Sequence, residues 1–310
     1  MIKHALVTGG AGFIGSHVVD AYVERGLRVS VIDNLSTGNR RNLNPKAEFY
    51  EADLRDPATA ALLDDLRPDL INHHAAQIDV RTSVADPAFD AEVNVVASLR
   101  LLQKAAETGV ERIVFASSGG AIYGEPREVP QTESHPAGPV SPYGCAKLAI
   151  EHYLHYFRVV KGLSSVALRY ANVYGPRQSS RGEAGVIAIF ADHLLRDDEA
   201  TIFGSGAQSR DFVYVGDVVA ANMTASFGGM SGSYNVGTGV ETSILTIYDM
   251  IAAAAGSERR PRHAEAKAGE QMRSVVSGDA LRRLADLPEP VALQDGIGRT
   301  VDWFRKIKND

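Results

Sequence analysis

The sequence predicts an α/β protein with a doubly wound parallel sheet and a smaller α/β lobe at the C-terminal end. Three observations predict this class. Short β-branched apolar runs alternate with longer helical patterns over the first half of the chain. A glycine-rich turn joins the first strand to the first helix. After Tyr174 the alternation stops, which indicates that a second lobe begins there.

The alternation places each element in order. Apolar runs of strand length predict six strands, at 5–9, 28–33, 47–53, 69–76, 112–118 and 164–171. Between them, apolar residues at helical spacing predict helices at 13–26, 57–67, 90–109 and 142–162. Strands that alternate with helices form βαβ units, in which the strands are parallel and helices cover both faces of the sheet.

The second half of the chain has a different pattern. Residues 175–185 are rich in Gly, Ser and charged residues and are predicted to form a crossing loop, followed by a helix near 185–196. We therefore predict a nucleotide-binding domain at 1–175 that is rejoined by about 211–240. The remaining pieces, 176–210 and 241–310, are predicted to form a substrate-binding lobe.

Composition excludes several classes of function. The 310 residues are 45% hydrophobic and 23% charged, with a formal net charge of −6 and no basic block, which argues against nucleic acid or a membrane surface as partner. No run approaches the roughly 18 apolar residues of a membrane span. The first residues enter a strand pattern directly, so no leader is expected and the protein should be cytoplasmic. A single cysteine, Cys145, excludes an intramolecular disulfide.

No metal site is expected from the sequence. The single cysteine offers no ligand cluster, and the adjacent His73 and His74 fall at the end of a predicted strand. Neighbouring residues on a strand point to opposite faces, so these two side chains cannot converge on one ion. We interpret both histidines as packing residues near the nucleotide.

The glycine-rich turn has the features of a dinucleotide cradle. Gly9, Gly12 and Gly15 lie between the first strand and the first helix, where residues without a β-carbon let the backbone approach a pyrophosphate. Asp33 ends the second strand, 18 residues after Gly15. A carboxylate there can bind ribose hydroxyls and would repel a 2′-phosphate. The sequence therefore predicts a Rossmann-type domain that binds NAD rather than NADP.

Residues 141–147, SPYGCAK, predict the start of a helix. Ser141 suits the cap position and Pro142 the first helical position. Tyr143 and Lys147 then lie at i and i+4 on one face, where a phenol beside a fixed positive charge could transfer a proton. Taken alone, this spacing favours an ordinary solvated helix edge.

Eight motifs in the chain resemble those of a known family in the same order: GGAGFIGS, DNLSTG, HHAAQIDVRTSV, ASSGGAIYGE, SPYGCAK, LRYANVYGPR, RDFVYVGDV and YNVGTG. Together they identify the sequence as similar to the extended short-chain dehydrogenase/reductase superfamily and, within it, to the UDP-glucose 4-epimerase group. The resemblance covers nearly the whole chain. It implies that Tyr143 and Lys147 are catalytic.

The resemblance also implies which residues hold the ligands. On the cofactor side it assigns Phe13 and Ile14 to the pyrophosphate, Asp33, Asn34 and Ser36 to the adenosine ribose, Asp53 and Leu54 to the adenine, and Ala75, Ala76, Gln77 and Asn94 to the remaining wall. On the substrate side it assigns Asn172 and Arg210 to the diphosphate of a nucleotide sugar, and a planar guanidinium suits phosphate oxygens.

Two positions depart from the family pattern. Many relatives carry a hydroxyl where this chain has Gly119. Its role could pass to Ser118, to a water molecule, or to a direct contact between Tyr143 and the sugar, and we expect Ser118, rather than Ser117, to take it. Near the C-terminus, relatives often have Arg-x-Gly-Asp where this chain has KAGE, with Lys267 and Glu270. Lysine lacks the bidentate fork of arginine, and the nearby Arg273 could supply it.

The resemblance implies reversible inversion at C4 of a UDP-hexose through a 4-keto intermediate, with NAD retained. A small residue, Ser274, falls where relatives limit bulk at the sugar 2-position, so UDP-N-acetylhexosamines are candidate substrates. The alternatives are a nucleotide-sugar 4,6-dehydratase, a UDP-glucuronate epimerase, and a non-catalytic NAD-binding regulator. The family also implies a homodimer built on helices near 90–108 and 143–160.

Overall fold

The computed structural model describes residues 1–181, 185–266 and 271–309. Within these ranges the strands are β1 (His4–Thr8), β2 (Arg28–Asp33), β3 (Glu48–Glu51), β4 (Leu70–His73), β5 (Arg112–Ser118), β6 (Ser164–Tyr170), β7 (Asn172–Tyr174), β8 (Thr201–Phe203), β9 (Ser209–Arg210), β10 (Phe212–Tyr214), β11 (Gly232–Val236), β12 (Thr242–Ser243), β13 (Arg262–Ala264) and β14 (Arg273–Ser274).

The helices alternate with the strands in the first half of the chain and are more widely separated in the second. They are α1 (Phe13–Glu24), α2 (Pro57–Leu66), α3 (Val80–Ala85), α4 (Pro87–Ala91), α5 (Ala97–Thr108), α6 (Gly119–Ile122), α7 (Pro142–Lys161), α8 (Val186–Leu195), α9 (Val215–Phe227), α10 (Ile244–Ala255), α11 (Asp279–Ala285) and α12 (Leu293–Asn309). A 3₁₀ turn at Arg40–Asn42 and a π-helical segment at Glu92–Val96 complete the described elements.

The prediction of a doubly wound parallel sheet is confirmed. In the part of the chain that the structure describes, the largest sheet has seven strands in the order β11-β6-β5-β4-β1-β2-β3. The pairs β1/β2, β1/β4, β2/β3 and β4/β5 are parallel. Each of the six predicted strands corresponds to one of β1–β6, with β2 and β5 matching in both bounds. The order reverses at β1, between β2 and β4.

The chain forms two compact units. Unit 1 contains Met1–Ile122, Ala137–Arg169 and Val219–Tyr234, and unit 2 contains Tyr123–Pro136, Tyr170–Val218 and Asn235–Asp310. In unit 1, one hydrophobic cluster packs Leu6, Ile71 and Phe115 of the sheet against Leu101 and Leu154 of the helices. This packing holds α5 and α7 on the sheet that carries the glycine-rich turn.

Unit 2 has its own core and smaller sheets. Its core cluster joins α8, α10 and α12 through residues such as Phe190, Tyr248 and Phe304. Its described strands form the sheets β10-β7, β12-β9-β14 and β13-β8. In the middle one, β9 pairs antiparallel with β12 and parallel with β14.

The predicted helix at 90–109 is interrupted. It begins earlier than predicted, where Asp86 caps α4 by accepting a hydrogen bond from Phe89 N at 3.0 Å. It then widens into the π-helical segment before continuing as α5. Asn94, in the centre of this segment, exchanges two hydrogen bonds with the main chain of Gln77. Such π segments are frequent at functional sites.

Helix α7 begins and ends as its sequence predicts. The Ser141 hydroxyl accepts a hydrogen bond from Gly144 N at 3.1 Å, Pro142 is the first helical residue, and Gly162 ends the helix with φ of 72°. The cap fixes the first turn, which carries Tyr143. None of the helices in the described ranges combines the length and apolar character that a bilayer crossing requires.

Candidate active site

The cradle lies where the strand order reverses, at the carboxyl ends of β1 and β4. Thr8 and His73 are register partners at these ends, and Gly9 and Ala75 follow them closely. Gly9 has φ of +70°, and a β-carbon built on it would lie 2.6 Å from the nitrogen of Ala75. Only glycine fits this approach. Open α/β sheets bind their ligands at such reversal points.

Helix α1 starts inside the same turn. Gly12 caps it without a side-chain hydrogen bond, and Gly12 N donates to Gly9 O at 3.1 Å. A β-carbon on Gly15 would lie 2.3 Å from Gly9 O. Phe13 and Ile14 form the first turn, whose main-chain N–H groups are available to an anion. The turn therefore fits a pyrophosphate, as the sequence predicts.

Asp33 is held beside the cradle. Its side chain is buried, and its two oxygens accept hydrogen bonds from Ala11 N at 3.0 Å and Leu35 N at 2.8 Å. A β-carbon on Gly38 would lie 2.8 Å from Asp33 Oδ1, so the loop after β2 closes over the carboxylate. A fixed carboxylate at the end of β2 suits ribose hydroxyls.

The residues predicted for the adenosine end cluster next to Asp33. Asn34 Nδ2 donates to Asp53 Oδ2 at 3.0 Å, and Asn34 Oδ1 accepts from Ser36 N at 3.0 Å. The Arg55 guanidinium lowers the pKa of Asp53 well below its usual range. Leu54 packs against the core of unit 1. The structure thus brings Asn34, Ser36 and Asp53 together, while Leu54 has a packing role as well.

The loop after β4 is fixed to the π-helical segment. Ala75 N donates to Thr8 Oγ1 at 3.3 Å, and Ala76 follows it. Gln77 N donates to Asn94 Oδ1 at 2.9 Å, and Asn94 Nδ2 returns a bond of 2.9 Å to Gln77 O. Hydrogen bonds between Gln77 and Asn94 therefore hold together the segment that is predicted to line the cofactor after β4.

His73 lies inside unit 1 and stays neutral. Ser98 Oγ donates to Asn94 O at 2.8 Å, so the 2.9 Å bond between Ser98 Oγ and His73 Nε2 is donated by the ring. His73 Nδ1 then accepts from Thr8 Oγ1 at 2.6 Å. Burial, followed by the charge of Lys147, lowers the pKa of His73 to about 3. This histidine links β1, β4 and α5 as a packing residue.

Tyr143 lies in the first turn of α7 with Ser118 against its hydroxyl. Burial raises the pKa of Tyr143 to about 12, a hydrogen bond with the Ser118 hydroxyl lowers it, and the charge of Asp90 raises it. The side chain expected to replace the hydroxyl missing at Gly119 is therefore near enough to lower the pKa of the phenol. The donated hydrogen bond favours the ionised form of the phenol.

Lys147 lies one helical turn further along α7 and is only 4% exposed. Its Nζ donates to Ala116 O at 2.8 Å and lies 5.7 Å from the centre of the Tyr143 ring. Burial lowers the pKa of Lys147 to about 8, and the charges of Asp90 and Glu151 oppose this shift. The predicted pair is thus a buried ammonium beside a neutral phenol, and the solvated-edge interpretation is wrong.

Two buried carboxylates near this pair are absent from the sequence-based predictions. Asp90 is 1% exposed on α4, and Glu151 is 8% exposed on α7. Glu151 accepts hydrogen bonds from Arg169 at 2.6 Å, from Ser117 at 2.5 Å and from Ser233 at 2.8 Å. A spacing of four residues, from Lys147 to Glu151 and from Asp90 to Asn94, is the signal that could have found them.

In unit 2, Arg210 and Ser274 are register partners on β9 and β14. Arg210 Nη1 donates to Ser209 O at 2.8 Å. Asn172, on β7, donates from its main-chain nitrogen to Asp211 O at 2.9 Å. Arg273, considered as a substitute phosphate ligand, forms a bidentate ion pair with Glu241, with Nε–Oε1 and Nη2–Oε2 distances of 2.7 and 2.6 Å. Lys267 and Glu270 lie outside the described residues.

Comparison with known proteins places these features in a family context. The model of the NAD dependent epimerase/dehydratase family matches residues 5–237. A UDP-glucose 4-epimerase of Mycolicibacterium smegmatis is 44% identical over 97% of this chain and 98% of its own. A UDP-glucose 4-epimerase of Thermotoga maritima, solved with UDP-glucose, is 43% identical with a TM-score of 0.96 over 99% and 100% of the two chains. Its counterpart from Thermus thermophilus, solved with NAD, is 44% identical with a TM-score of 0.93 over 98% and 99%.

The cradle can be tested by filling it. In Gly15→Ala the new β-carbon would meet main-chain atoms of Gly9 and Gly10, so the turn must shift, and an overpacked site of this kind costs about 1–3 kcal/mol. If that cost falls on the cofactor site, we expect NAD to bind about 5- to 150-fold more weakly, measured by isothermal titration calorimetry. Gly298→Ala is the control, because a β-carbon there has no neighbour within 4 Å. Equal NAD affinity in Gly15→Ala and wild type would contradict the assignment.

Proposed function

The chain belongs to the NAD-dependent epimerase/dehydratase family, and from that premise we propose that it inverts C4 of UDP-hexoses, interconverting UDP-glucose and UDP-galactose with bound NAD. The observation that carries the proposal is the grouping of Tyr143, Ser118 and the buried Lys147 in the unit that contains the glycine cradle. Full-length relatives named as UDP-glucose 4-epimerases support the choice of substrate.

The residues present fit NAD. Gly9, Gly12 and Gly15 leave a cradle that a β-carbon would fill, and Asp33 supplies a fixed carboxylate for the adenosine ribose. We assign Asn34, Ser36, Asp53 and Leu54 to the adenosine end and Ala75, Ala76, Gln77 and Asn94 to the wall after β4, with Phe13 and Ile14 at the pyrophosphate. When bound, NAD supplies an acceptor for the hydride of C4 and a donor that returns it.

Tyr143 is the proton acceptor of this proposal. As a phenolate its oxygen takes the proton from the C4 hydroxyl and later gives it back, so no proton is consumed over the cycle. We propose that the Ser118 hydroxyl donates a hydrogen bond that stabilises the phenolate, in agreement with its lowering of the Tyr143 pKa. We also propose that Ser118 contacts the sugar oxygen and so supplies the polar contact that Gly119 cannot make.

Lys147 contributes a fixed charge and an anchor. Its ammonium is oriented by Ala116 O and lies on the same helix face as Tyr143. A positive charge next to a phenol favours the phenolate. Its remaining N–H groups can hold the hydroxyls of the nicotinamide ribose. One side chain can therefore bind the cofactor and also lower the pKa of the phenol.

Unit 2 is proposed to hold the nucleotide sugar, as unit 1 holds the cofactor. Arg210 and Asn172 are the proposed ligands of the diphosphate, because a guanidinium and an amide both donate to phosphate oxygens. Lys267 and Glu270 are proposed to contribute to the same nucleotide, as the family resemblance implies. The keto sugar must rotate about its diphosphate link before it is reduced on the opposite face.

Two features of the site favour epimerisation over the alternatives: α6 carries no carboxylate at the positions a dehydratase needs, and Tyr143 and Lys147 are both present. A 4,6-dehydratase needs an acid/base side chain within reach of C5 and C6, but α6 has Gly120 and Ala121 at the positions where such a carboxylate is expected. A regulator that only senses NAD has no need of Tyr143 and a buried Lys147. The same chemistry on UDP-glucuronate would need a carboxylate-binding group near C6 of the sugar.

We also propose a metabolic role, a cellular location and an oligomeric state. UDP-glucose and UDP-galactose interconversion belongs to galactose metabolism. A cytoplasmic location agrees with a single cysteine, Cys145, that is free and exposed, since reducing compartments keep such thiols reduced. A homodimer is supported by the apolar surface of the helices named for it: Val96, Tyr153, Tyr156, Val159 and Val160 are each at least 39% exposed.

Removal of the phenolic hydroxyl tests the proposed reaction. Tyr143→Phe leaves the ring in place but removes the proton acceptor, so kcat for UDP-galactose should fall by about 10²–10⁴. Sugar NMR with UDP-galactose and NAD measures this loss. Tyr153→Phe, which removes an exposed hydroxyl from the same helix, should react at the wild-type rate.

Isotope labelling tests the hydride transfer in the same assay. In D₂O the product should retain hydrogen at C4, because the hydride never exchanges with solvent. Deuterium at C4, or inversion by Tyr143→Phe as fast as wild type, would exclude the mechanism. A stable 4-keto-6-deoxy product would instead identify a dehydratase.

Substrate range depends on Ser274 in this proposal. A small side chain leaves room for a 2-acetamido group, so wild type should turn over UDP-GlcNAc, and Ser274→Tyr should lower that rate more than the UDP-galactose rate. Discrimination by bulk in a pocket is worth about 10–200-fold. Equal loss on both substrates, measured as kcat/KM, would remove Ser274 from the explanation.

The dimer prediction can be tested by placing a charge on α7. Tyr156→Glu introduces a carboxylate into the proposed apolar interface and should give a monomer in light scattering coupled to gel filtration. Val140→Glu is the control, since Val140 is 79% exposed and lies outside both helices. A dimer in both variants would exclude this face, and a monomeric wild type would exclude the dimer.

A further inference from the structure

Asp90 is a buried carboxylate with one oxygen that accepts hydrogen bonds and one that accepts none from the described residues. Its Oδ1 accepts two hydrogen bonds, from Gln77 Nε2 and Asn94 Nδ2, both at 2.9 Å. No donor in the described part of the chain lies within hydrogen-bond distance of its Oδ2. Because the residue is 1% exposed, this second oxygen is withdrawn from bulk water. A charge kept in that state is costly unless another charge faces it.

A buried ammonium, that of Lys147, lies on the helix against which the Asp90 helix packs. Helix α4 packs against α7, and the pKa values of Lys147 and Asp90 each respond to the charge of the other. The phenol of Tyr143 responds to Asp90 as well. One carboxylate therefore acts on both members of the pair, and its charge favours the ammonium but disfavours the phenolate.

Building on the proposed function, we propose that Asp90 is a positioning residue that acts through its charge on Tyr143 and Lys147 and sets the pH range in which this pair works. Gln77 and Asn94 hold the carboxylate in place. Each amide also donates a second hydrogen bond, to Asp79 O and to Gln77 O respectively, so both orientations are fixed.

The other charged and titratable groups around these residues have their own partners or are exposed. On α3 and its cap, Arg81 pairs with Asp79 at 3.4 Å. On the π-helical segment, Glu92 is exposed. Glu151 also faces Lys147 but is bound by Arg169, and the pKa of both His73 and His74 is lowered to about 3, so neither ring carries charge. Asp90 is thus the buried carboxylate whose charge is balanced by Lys147.

One substitution can remove the charge of Asp90 with little change in the shape of its side chain. In Asp90→Asn the side-chain carbonyl can take the place of Oδ1 and keep both accepted hydrogen bonds. The new NH₂ then takes the place of Oδ2, where the described residues present no donor to repel it. The substitution therefore removes the charge and leaves the contacts. Glu92→Gln, on the adjacent segment, removes an exposed carboxylate as the matched control.

The first measurement needs no substrate. Titration of lysine labelled with ¹³C at Cε, followed by NMR and assigned by loss of the signal in Lys147→Arg, reports the pKa of Lys147 in the cofactor-free protein, about 8 in wild type. In Asp90→Asn the loss of a nearby negative charge should lower it by about one pH unit. Glu92→Gln should leave it unchanged. An unchanged titration in Asp90→Asn would overturn the proposal.

The second measurement is the pH dependence of kcat for UDP-galactose. Loss of the negative charge lowers the pKa of both Tyr143 and Lys147, so both limbs of the pH profile should move by about one pH unit to lower pH. A structural role would lower kcat at every pH without moving either limb, and that result would also overturn the proposal.

The two measurements separate this inference from the function it builds on. If wild type does not invert C4, the proposed function fails, and the lysine titration alone decides the role of Asp90. If Asp90→Asn does not fold, Asp90→Ser, which removes the charge and leaves a smaller polar side chain, is titrated in its place.

Discussion

The burial of a single ammonium group, that of Lys147, constrains much of unit 1. An isolated charge cannot be withdrawn from water without partners. A main-chain carbonyl, Ala116 O, accepts a hydrogen bond from this ammonium, and the charges of two carboxylates, Asp90 and Glu151, favour its protonated form. Each carboxylate is itself buried and must be bound in turn, by amides in one case and by Arg169 in the other. A shell of polar contacts therefore follows from one buried charge.

The same constraint explains the interruption of the helix that precedes α5. Asp90 and Asn94 must both face the loop after β4, where Gln77 presents its main-chain and side-chain groups. A π-helical segment begins directly after α4 and places the Asn94 amide against that loop. It also presents Asn94 O to Ser98, which fixes the neutral form of His73. Neutral histidines next to a buried ammonium avoid a second positive charge.

Sequence patterns predict the main sheet, but they do not predict the polar contacts around Lys147. The strands β1, β2, β4, β5 and β6 and the helices α1, α2 and α7 bury apolar residues, and hydropathy reports such patterns directly. The cradle and Asp33 follow from steric and electrostatic needs of a dinucleotide. The interruption at Glu92–Val96 depends on bonds between the Asn94 side chain and a main chain 17 residues away, which periodicity does not encode. Asp90 and Glu151 look like surface residues in sequence because a charged residue on a helix usually is exposed.

The contact between Ser118 and Tyr143 illustrates how a site tolerates a missing side chain. Strand β5 ends at Ser118, and α6 begins at Gly119. Because these two residues are consecutive, their Cα atoms lie about 3.8 Å apart, so a hydroxyl at either position could reach the same phenol, depending on how the backbone turns between them. In this chain the turn presents Ser118 to Tyr143, and Gly119, which is buried, adds no side chain there. The site thus requires a hydroxyl beside the Tyr143 phenol, whichever residue supplies it. Ser118, one position before Gly119, can supply it because β5 ends at that residue.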